Sequence, residues 1–194
     1  MINIVGGKYK KTKLNVPLNI VRPTSVQKRE AIFSIIESYG LKINFDIYKQ
    51  KNVLDLFAGS GALGLEAISR GISFGYFYEN NFKVIPFLKK NCLKICKKNN
   101  FQIKQENILN SNFSDINKKI SVVFIDPPYK IKPFKIIFKK IIQSKILSKN
   151  AIIIVEYSKD SNIEIPSFFS CYAERQYRNT KISFLIIKNN NNFF

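Results

Sequence analysis

Short apolar runs alternate with segments of helical period through the middle of the chain. Five runs are typical of strands, at 52–57, 73–79, 101–106, 120–125 and 151–157. Three segments between or after them repeat apolar residues at helical spacing, at 61–70, 81–98 and 134–146. Strands that alternate with helices predict a parallel sheet with helices on both faces.

The last part of the chain follows a different pattern. Two apolar runs, 168–178 and 181–188, are separated only by Asn179 and Thr180, which predicts an antiparallel hairpin. We therefore predict a Rossmann-like α/β fold with a mainly parallel seven-stranded sheet, an antiparallel final strand and a small N-terminal β-hairpin. Right-handed crossovers bring the carboxyl ends of the parallel strands to one edge, where ligands bind.

A basic hairpin arm is predicted for residues 1–24. Two strand-like stretches flank a glycine pair, and Lys8, Lys10 and Lys11 follow with no earlier acidic residue. These lysines either protect a solvated edge strand or face RNA, and we favour an RNA-facing arm. The remaining boundaries are 25–188 for the α/β domain and 189–194 for a disordered, Asn-rich tail.

The net charge of +19 points to a polyanionic partner. The chain is also rich in Lys, Asn, Ile and Phe, a bias that nucleotide composition can produce, so the clustering of basic residues matters more than the total. No apolar run approaches the roughly 20 residues of a membrane span, and the first residues do not resemble a signal peptide. We expect a cytoplasmic protein with no membrane contact.

Cysteine and histidine usage argues against a metal site. Cys92, Cys96 and Cys171 are the three cysteines; no two of them form a C-x-x-C pair, and the chain has no histidine. We expect reduced thiols, packed or half-exposed, in a reducing compartment.

The stretch "FAGSGALGLEA" carries Gly59, Gly61 and Gly64 in a G-x-G-x-x-G pattern. Such a loop lets the backbone approach a cofactor at the start of a helix, and it suits both a dinucleotide and S-adenosylmethionine (SAM). Asp55 favours SAM, because a carboxylate inside the strand can fix the turn and reach the methionine ammonium. Glu79, at the end of the next strand, can accept bonds from both ribose hydroxyls of either cofactor.

The stretch "FIDPPY" ends the fourth strand with Asp126, Pro127, Pro128 and Tyr129. The two prolines stiffen the loop and remove two backbone donors. The Asp126 carboxylate and the Pro127 carbonyl can then hold a planar exocyclic amine by both hydrogens, so that its lone pair faces a sulfonium methyl. Tyr129 offers a flat face for a base that has been turned out of its stack.

These motifs together resemble the RsmD-type family of ribosomal RNA small-subunit methyltransferases. The similarity covers nearly all of the chain, through "IVGGKYKKTKL", "RPT", "REAIF", "DLFAGSGALGLEAISRG" and "DPPY". The resemblance implies a class I SAM-dependent enzyme that methylates N2 of a guanine (position 966) in 16S rRNA. The implied substrate is an assembled or assembling small subunit, whose ribosomal proteins are further partners. We expect the enzyme to be a monomer.

The resemblance also assigns residues. It implies a cofactor pocket at Asp55, Ala58, Gly59, Gly61, Glu79 and Asn107, and target-base contacts at Asp126, Pro127, Pro128 and Tyr129. Residues expected to face RNA or to help close the site are Lys8, Lys10, Lys11, Arg22, Thr24 and Arg29. One departure is that Asn80 and Asn81 stand where such families often carry an acidic residue; asparagine can still form a hydrogen bond there, but without a charge.

Other functions remain open at this point. Methylation of adenine N6 in DNA or of a glutamine amide would use the same loop, but those relatives generally have Asn before Pro-Pro and need a recognition domain. A non-catalytic RNA-binding factor is disfavoured by the intact Asp126. An NAD-dependent dehydrogenase is disfavoured by Asp55. Asn107 is either an adenine contact or an ordinary polar loop residue.

Overall fold

The computed structural model describes residues 2–17, 20, 24–128 and 131–188, and within them it has nine strands and four helices. The strands are β1 (Ile2–Asn3), β2 (Lys13–Leu14), β3 (Asn52–Asp55), β4 (Phe74–Glu79), β5 (Phe101–Gln105), β6 (Ile120–Ile125), β7 (Leu147–Ser158), β8 (Phe169–Tyr177) and β9 (Thr180–Ile187). The helices are α1 (Val26–Lys42), α2 (Ala62–Ser69), α3 (Ile85–Ile95) and α4 (Phe134–Ser144). The predicted tail, 189–194, lies outside the described residues.

Seven strands form one sheet in the order β5-β4-β3-β6-β7-β9-β8. Strands β3 to β7 are parallel to one another, whereas β9 runs antiparallel to both β7 and β8. The predicted fold is confirmed, including the antiparallel final strand. The order in which strands are added to the sheet switches sides between β3 and β6, which are parallel, so the strands that carry the glycine loop and the Pro-Pro loop are direct neighbours.

Two apolar layers cover the sheet because successive side chains of a strand point to opposite faces. Val53 of β3 packs in a core with residues of α1, α2 and α3. The next residue, Leu54, packs in a second core with α4 and the segment 108–116. All of β6 is buried, as expected for a central parallel strand whose sequence is almost uniformly apolar.

The N-terminal hairpin is small but firmly attached to the domain. Strands β1 and β2 are two residues each, and the Glu66 carboxylate of α2 accepts hydrogen bonds from the N–H groups of Val5 (2.8 Å) and Gly6 (2.7 Å). Gly7 has a φ of +73°, and a Cβ there would lie 2.0 Å from the Ser69 carbonyl oxygen. Glycine is therefore required for the hairpin to approach the end of α2 this closely.

Two elements differ from the prediction by more than two residues. Helix α3 is shorter than the predicted 81–98, because Asn81 forms a turn with Val84 and a proline follows at the second position of the helix. Strand β7 begins at Leu147, ahead of the predicted 151. None of the described helices is long and apolar enough to cross a membrane.

Candidate active site

The glycine loop connects β3 to α2 at the carboxyl edge of the sheet. Gly61 is the N-cap of α2 and has a φ of +82°, a left-handed conformation that favours glycine. A Cβ at this position would lie 2.8 Å from Cδ1 of Leu88. Ala58 is nearly buried, and its N–H donates to the Tyr78 carbonyl at 2.9 Å, which holds the loop against the end of β4.

Asp55 lies beneath this loop, at the last position of β3. Its side chain is buried, and Oδ2 accepts a hydrogen bond from the Gly64 N–H at 3.1 Å. Burial raises the pKa of Asp55 to about 7; the Gly64 hydrogen bond opposes this rise, and the nearby charge of Glu79 adds to it. The carboxyl group therefore fixes the strand-loop-helix turn, as expected, and changes charge near neutral pH.

Glu79 ends β4 and fixes the other side of the loop. One carboxylate oxygen accepts the Gly59 N–H at 2.9 Å, and the other accepts the Asn81 N–H at 2.7 Å. Each oxygen has a second lone pair, so both can still accept a hydroxyl. The structure thus brings together Asp55, Glu79 and Gly59 at one edge of the sheet.

Asn107 follows β5 and is exposed. Its Oδ1 accepts the Leu109 N–H at 3.0 Å, which is the geometry of an Asx turn. The amide nitrogen is a donor that this bond leaves unused. The position is compatible with an adenine contact, and an adenine contact remains a prediction.

The second loop follows β6 and begins with Asp126. Asp126 is half-buried, Pro127 is buried and Pro128 is exposed; the Pro128 carbonyl accepts the Ile131 N–H at 3.0 Å. Tyr129 lies outside the described residues. A shallow depression beside Pro127 is lined by the side chains of Ile131, Phe134 and Tyr157 and by two serines.

Asp126 has an unusual electrostatic environment. Burial raises the pKa of its carboxyl group well above the ordinary value, and the charges of Glu156 and Asp55 raise it further. The ammonium of Lys28 opposes this by favouring the ionised form. Asp126 is therefore a strong hydrogen-bond acceptor only when a positive charge such as that of Lys28 favours its ionised form.

Two of these neighbours, Lys28 and Glu156, were not selected from the sequence. Lys28 Nζ of α1 donates to Oε1 of Glu156 in β7 at 2.5 Å, and the Glu156 side chain is 8% exposed. Residues Ile125 and Val155 are paired across β6 and β7, so Asp126 and Glu156 follow at adjacent strand positions. The available signal was a single acidic residue inside the otherwise apolar run 151–157.

The structure places the predicted RNA-facing residues in different surroundings. Lys8, Lys10 and Lys11 are exposed on the hairpin, and Thr24 is half-buried just before the N-cap of α1. Arg22 lies outside the described residues.

The prediction that Arg29 faces RNA is corrected by its burial. The side chain has no exposed surface; Nη1 donates to the Asn3 carbonyl at 2.7 Å and lies 3.6 Å from the Glu66 carboxylate. Arg29 therefore ties the hairpin to α1 and α2.

A second group of lysines extends the basic surface of the hairpin. Residues 80–105 carry seven lysines and no acidic residue, and those on α3 are exposed. Lys94 Nζ of α3 donates to the Lys13 carbonyl of β2 at 2.7 Å. Asn91 of α3 forms two hydrogen bonds with the backbone of Asn15. The hairpin and α3 are therefore in direct contact, and we call their exposed lysines together the basic surface.

Candidate metal ligands do not cluster in the part of the chain that the structure describes. Cys92 and Cys96 are buried free thiols, and Cys171 is an exposed one. Cys92 and Cys96 are packed as predicted, whereas Cys171 is exposed and not half-exposed.

Comparisons with known proteins agree on one family. The family described as Conserved hypothetical protein 95 matches residues 2–186. Ribosomal RNA small subunit methyltransferase D of Buchnera aphidicola subsp. Acyrthosiphon pisum is 34% identical over 177 residues, covering 90% of this chain and 87% of that protein. The protein of the same name from Buchnera aphidicola subsp. Baizongia pistaciae is 31% identical over 194 residues, covering 99% and 94%.

A solved structure extends the similarity to the fold. The protein titled "Putative methyltransferase yhhF from Escherichia coli" has a TM-score of 0.80 and 27% identity, covering 96% of this chain and 98% of that chain. Nearly the whole chain therefore shares its fold with a protein titled as a methyltransferase.

Proposed function

The chain belongs to the RsmD-type methyltransferase family, described as Conserved hypothetical protein 95, and from that premise we propose its reaction. It transfers a methyl group from SAM to the exocyclic N2 amine of a guanine in 16S rRNA, of the position-966 type. The observation that carries the proposal is the juxtaposition of two loops at adjacent strand ends: the glycine loop after β3 and the acidic Pro-Pro loop after β6.

The residues of the first loop suit the parts of SAM. When bound, SAM supplies an electrophilic methyl group on a sulfonium sulfur. Asp55 would bind the ammonium of the methionine part, and Glu79 would accept the ribose hydroxyls with its free lone pairs. Ala58, Gly59 and Gly61 would form the backbone wall, and Asn107 would contact the adenine. The family match favours this cofactor over a dinucleotide.

The residues of the second loop suit a planar amine. The Asp126 carboxylate and the Pro127 carbonyl would each accept one N–H, which helps the nitrogen to pyramidalise. With the amine held this way, its lone pair would face the methyl group that SAM supplies, and Asp126 or water would accept the proton that the nitrogen releases as the sulfur keeps the electrons of the broken C–S bond. Tyr129 and Pro128 would hold the flipped base by stacking and packing, and the depression beside Pro127 would receive an apolar ring edge.

The basic surface suits the rest of the substrate. Lys8, Lys10 and Lys11, extended by the exposed lysines of α3, would bind phosphates around the flipped guanine. The proposal places the reaction in the cytoplasm, on an assembled or assembling small subunit whose ribosomal proteins shape the substrate. The enzyme acts as a monomer.

A substrate panel tests this function. Purified protein and labelled SAM are incubated with undermethylated small subunits, duplex DNA and a release factor, and the modified nucleoside is identified by mass spectrometry. We expect N2-methylguanine in the small-subunit RNA and no label in the other two substrates. Label in adenine would indicate a DNA adenine-N6 methyltransferase, and label in glutamine would indicate a glutamine-amide methyltransferase. No label in any substrate would favour a non-catalytic role.

A further inference from the structure

We propose that Lys28 and Glu156 act as a positioning pair, which keeps the carboxylate of Asp126 ionised and directed toward the amine. This inference rests on the proposed function, because it assigns a role to two residues beside the same loop. Neither residue belongs to the glycine loop or to the Pro-Pro loop, and they are 128 positions apart in the chain.

The geometry places the pair against Asp126. Ile125 and Val155 are paired in the parallel ladder of β6 and β7, so Asp126, the first residue after β6, lies next to Glu156, which continues β7. Glu156 is 6% exposed and its partner Lys28 is half-buried, so little water screens their charges. The ammonium reaches Glu156 from α1, which crosses this face of the sheet.

Asp126 needs such a partner because its other neighbours are acidic. Among the residues that the structure describes, the charged groups that act on it are Glu156 from β7, Asp55 from β3 and Lys28 from α1. Two neighbouring carboxyl groups with little water cannot both ionise without compensation. Lys28 supplies the one positive charge in this group, so its removal leaves Asp126 beside two uncompensated acids.

The arrangement also explains why Glu156 is present. A lysine beside Asp126 without a second acid would pair with Asp126 itself and occupy the oxygen that the amine needs. Glu156 instead binds Nζ at 2.5 Å, so Lys28 influences Asp126 through space while a hydrogen bond to another residue fixes its position. Glu156 therefore holds the cation and leaves the Asp126 oxygens for the substrate.

Carboxyl NMR measures the effect on Asp126 without any substrate. The chain has five aspartates, so protein labelled with ¹³C at the aspartate carboxyl gives a simple spectrum, and Asp126→Asn identifies one signal by its loss. We expect Lys28→Met to move the titration midpoint of that signal upward and Glu156→Gln to move it downward. Lys42→Met, at the far exposed end of α1, is the matched control and leaves the midpoint unchanged.

Kinetics measures the consequence. Lys28→Met should lower the rate of methyl transfer at pH 7 by about tenfold, because a smaller fraction of Asp126 is ionised, and the loss should shrink as the pH rises. Lys28→Arg should restore the rate. The double variant Lys28→Met with Glu156→Gln should be faster at pH 7 than Lys28→Met alone, because one acid is removed together with the lysine. Thermal unfolding of each variant checks that the fold is retained.

The outcomes separate this inference from the proposed function. If Lys28→Met leaves both the Asp126 midpoint and the pH profile of transfer unchanged, the pair has no role in positioning. A loss of rate that is equal at every pH, and that the double variant does not recover, would show a purely structural role and would overturn the inference as well. Failure of the wild-type protein to methylate small-subunit RNA would instead reject the proposed function, while the NMR midpoints would still decide whether the pair acts on Asp126.

Discussion

At the scale of single residues, the site combines three carboxyl groups whose surroundings differ. Asp55 is buried under the glycine loop with a pKa raised to about 7, and it retains one hydrogen bond to Gly64. Glu79 has both oxygens engaged by backbone N–H groups. Asp126 is half-buried beside a cation and two acids. A cationic ligand would therefore favour the charged form of Asp55.

Binding of SAM should depend on pH through Asp55. The raised pKa means that Asp55 is mostly neutral at pH 6 and increasingly ionised by pH 7.5, where the SAM ammonium is still largely protonated. We expect the Kd to fall as the pH rises over this range, as measured by calorimetry. Asp55→Asn should weaken binding by about 10- to 100-fold, the value of a charged hydrogen bond, and should flatten the pH dependence.

The control for this measurement is Asp46→Asn. Asp46 lies in the turn before β3, and backbone hydrogen bonds from Lys49 and Tyr48 lower its pKa. Its removal should leave the pH dependence of SAM binding unchanged. A Kd that is independent of pH in the wild-type protein would refute the role given to Asp55.

At the scale of elements, the N-terminal hairpin depends on one buried acid. Glu66 of α2 accepts two hairpin N–H groups and also pairs with Arg29 and Arg70. The hairpin strands are too short to be stable alone, so their position is set by these long-range contacts. The basic surface is thus rigidly connected to the domain that carries the site.

Glu66→Gln should destabilise the protein by about 3–5 kcal/mol, because it leaves the buried Arg29 without its counter-ion. Chemical denaturation measures the loss, and hydrogen exchange should show the amides of Val5 and Gly6 losing protection first. Glu37→Gln is the matched control, since Glu37 pairs with Arg70 at a more exposed position and should cost less than about 1 kcal/mol. Equal costs for the two variants would contradict the anchoring role of Glu66.

At the scale of the whole molecule, charge is distributed over both faces of the sheet, but only one face has the hairpin. The surface formed by the hairpin and α3 is basic and lies on the side of α1 and α2. Lysines also lie on α4 and β7. If the lysines only reflected composition bias, all of these surfaces would bind RNA equally well. The proposed function requires that the surface of the hairpin and α3 binds RNA more tightly than the others.

Replacing Lys8, Lys10 and Lys11 with Gln should weaken binding to small-subunit RNA and reduce the slope of log K against log salt by about 2, since each phosphate contact contributes roughly 0.7–0.9. Filter binding over a range of salt concentrations measures both effects. The matched control replaces three exposed lysines elsewhere, Lys118, Lys139 and Lys149. If both triple variants reduce the slope equally, the hairpin lysines reflect composition and not an interface.

Much of the fold could be predicted from the local sequence pattern. Alternating strands and helices predict a parallel sheet, and the last two strand-like runs predict the antiparallel hairpin that forms one edge of that sheet. The position of Asp126 also followed, since it directly ends an apolar strand. The pairing of Lys28 with Glu156 could not be predicted, because it joins residues 128 positions apart. Arg29 was misinterpreted although its spacing with Phe33 and Ile36 already placed it on the apolar face of α1.

The central claim is that Asp126 receives the amine that is methylated, and single-turnover transfer from labelled SAM to undermethylated small subunits tests it most directly. Asp126→Ala should lower the transfer rate by about 10²–10³-fold, as expected when a preorganised charge is removed, while the protein still binds SAM and RNA with affinities close to those of the wild type. Transfer by Asp126→Ala at the wild-type rate would contradict the account.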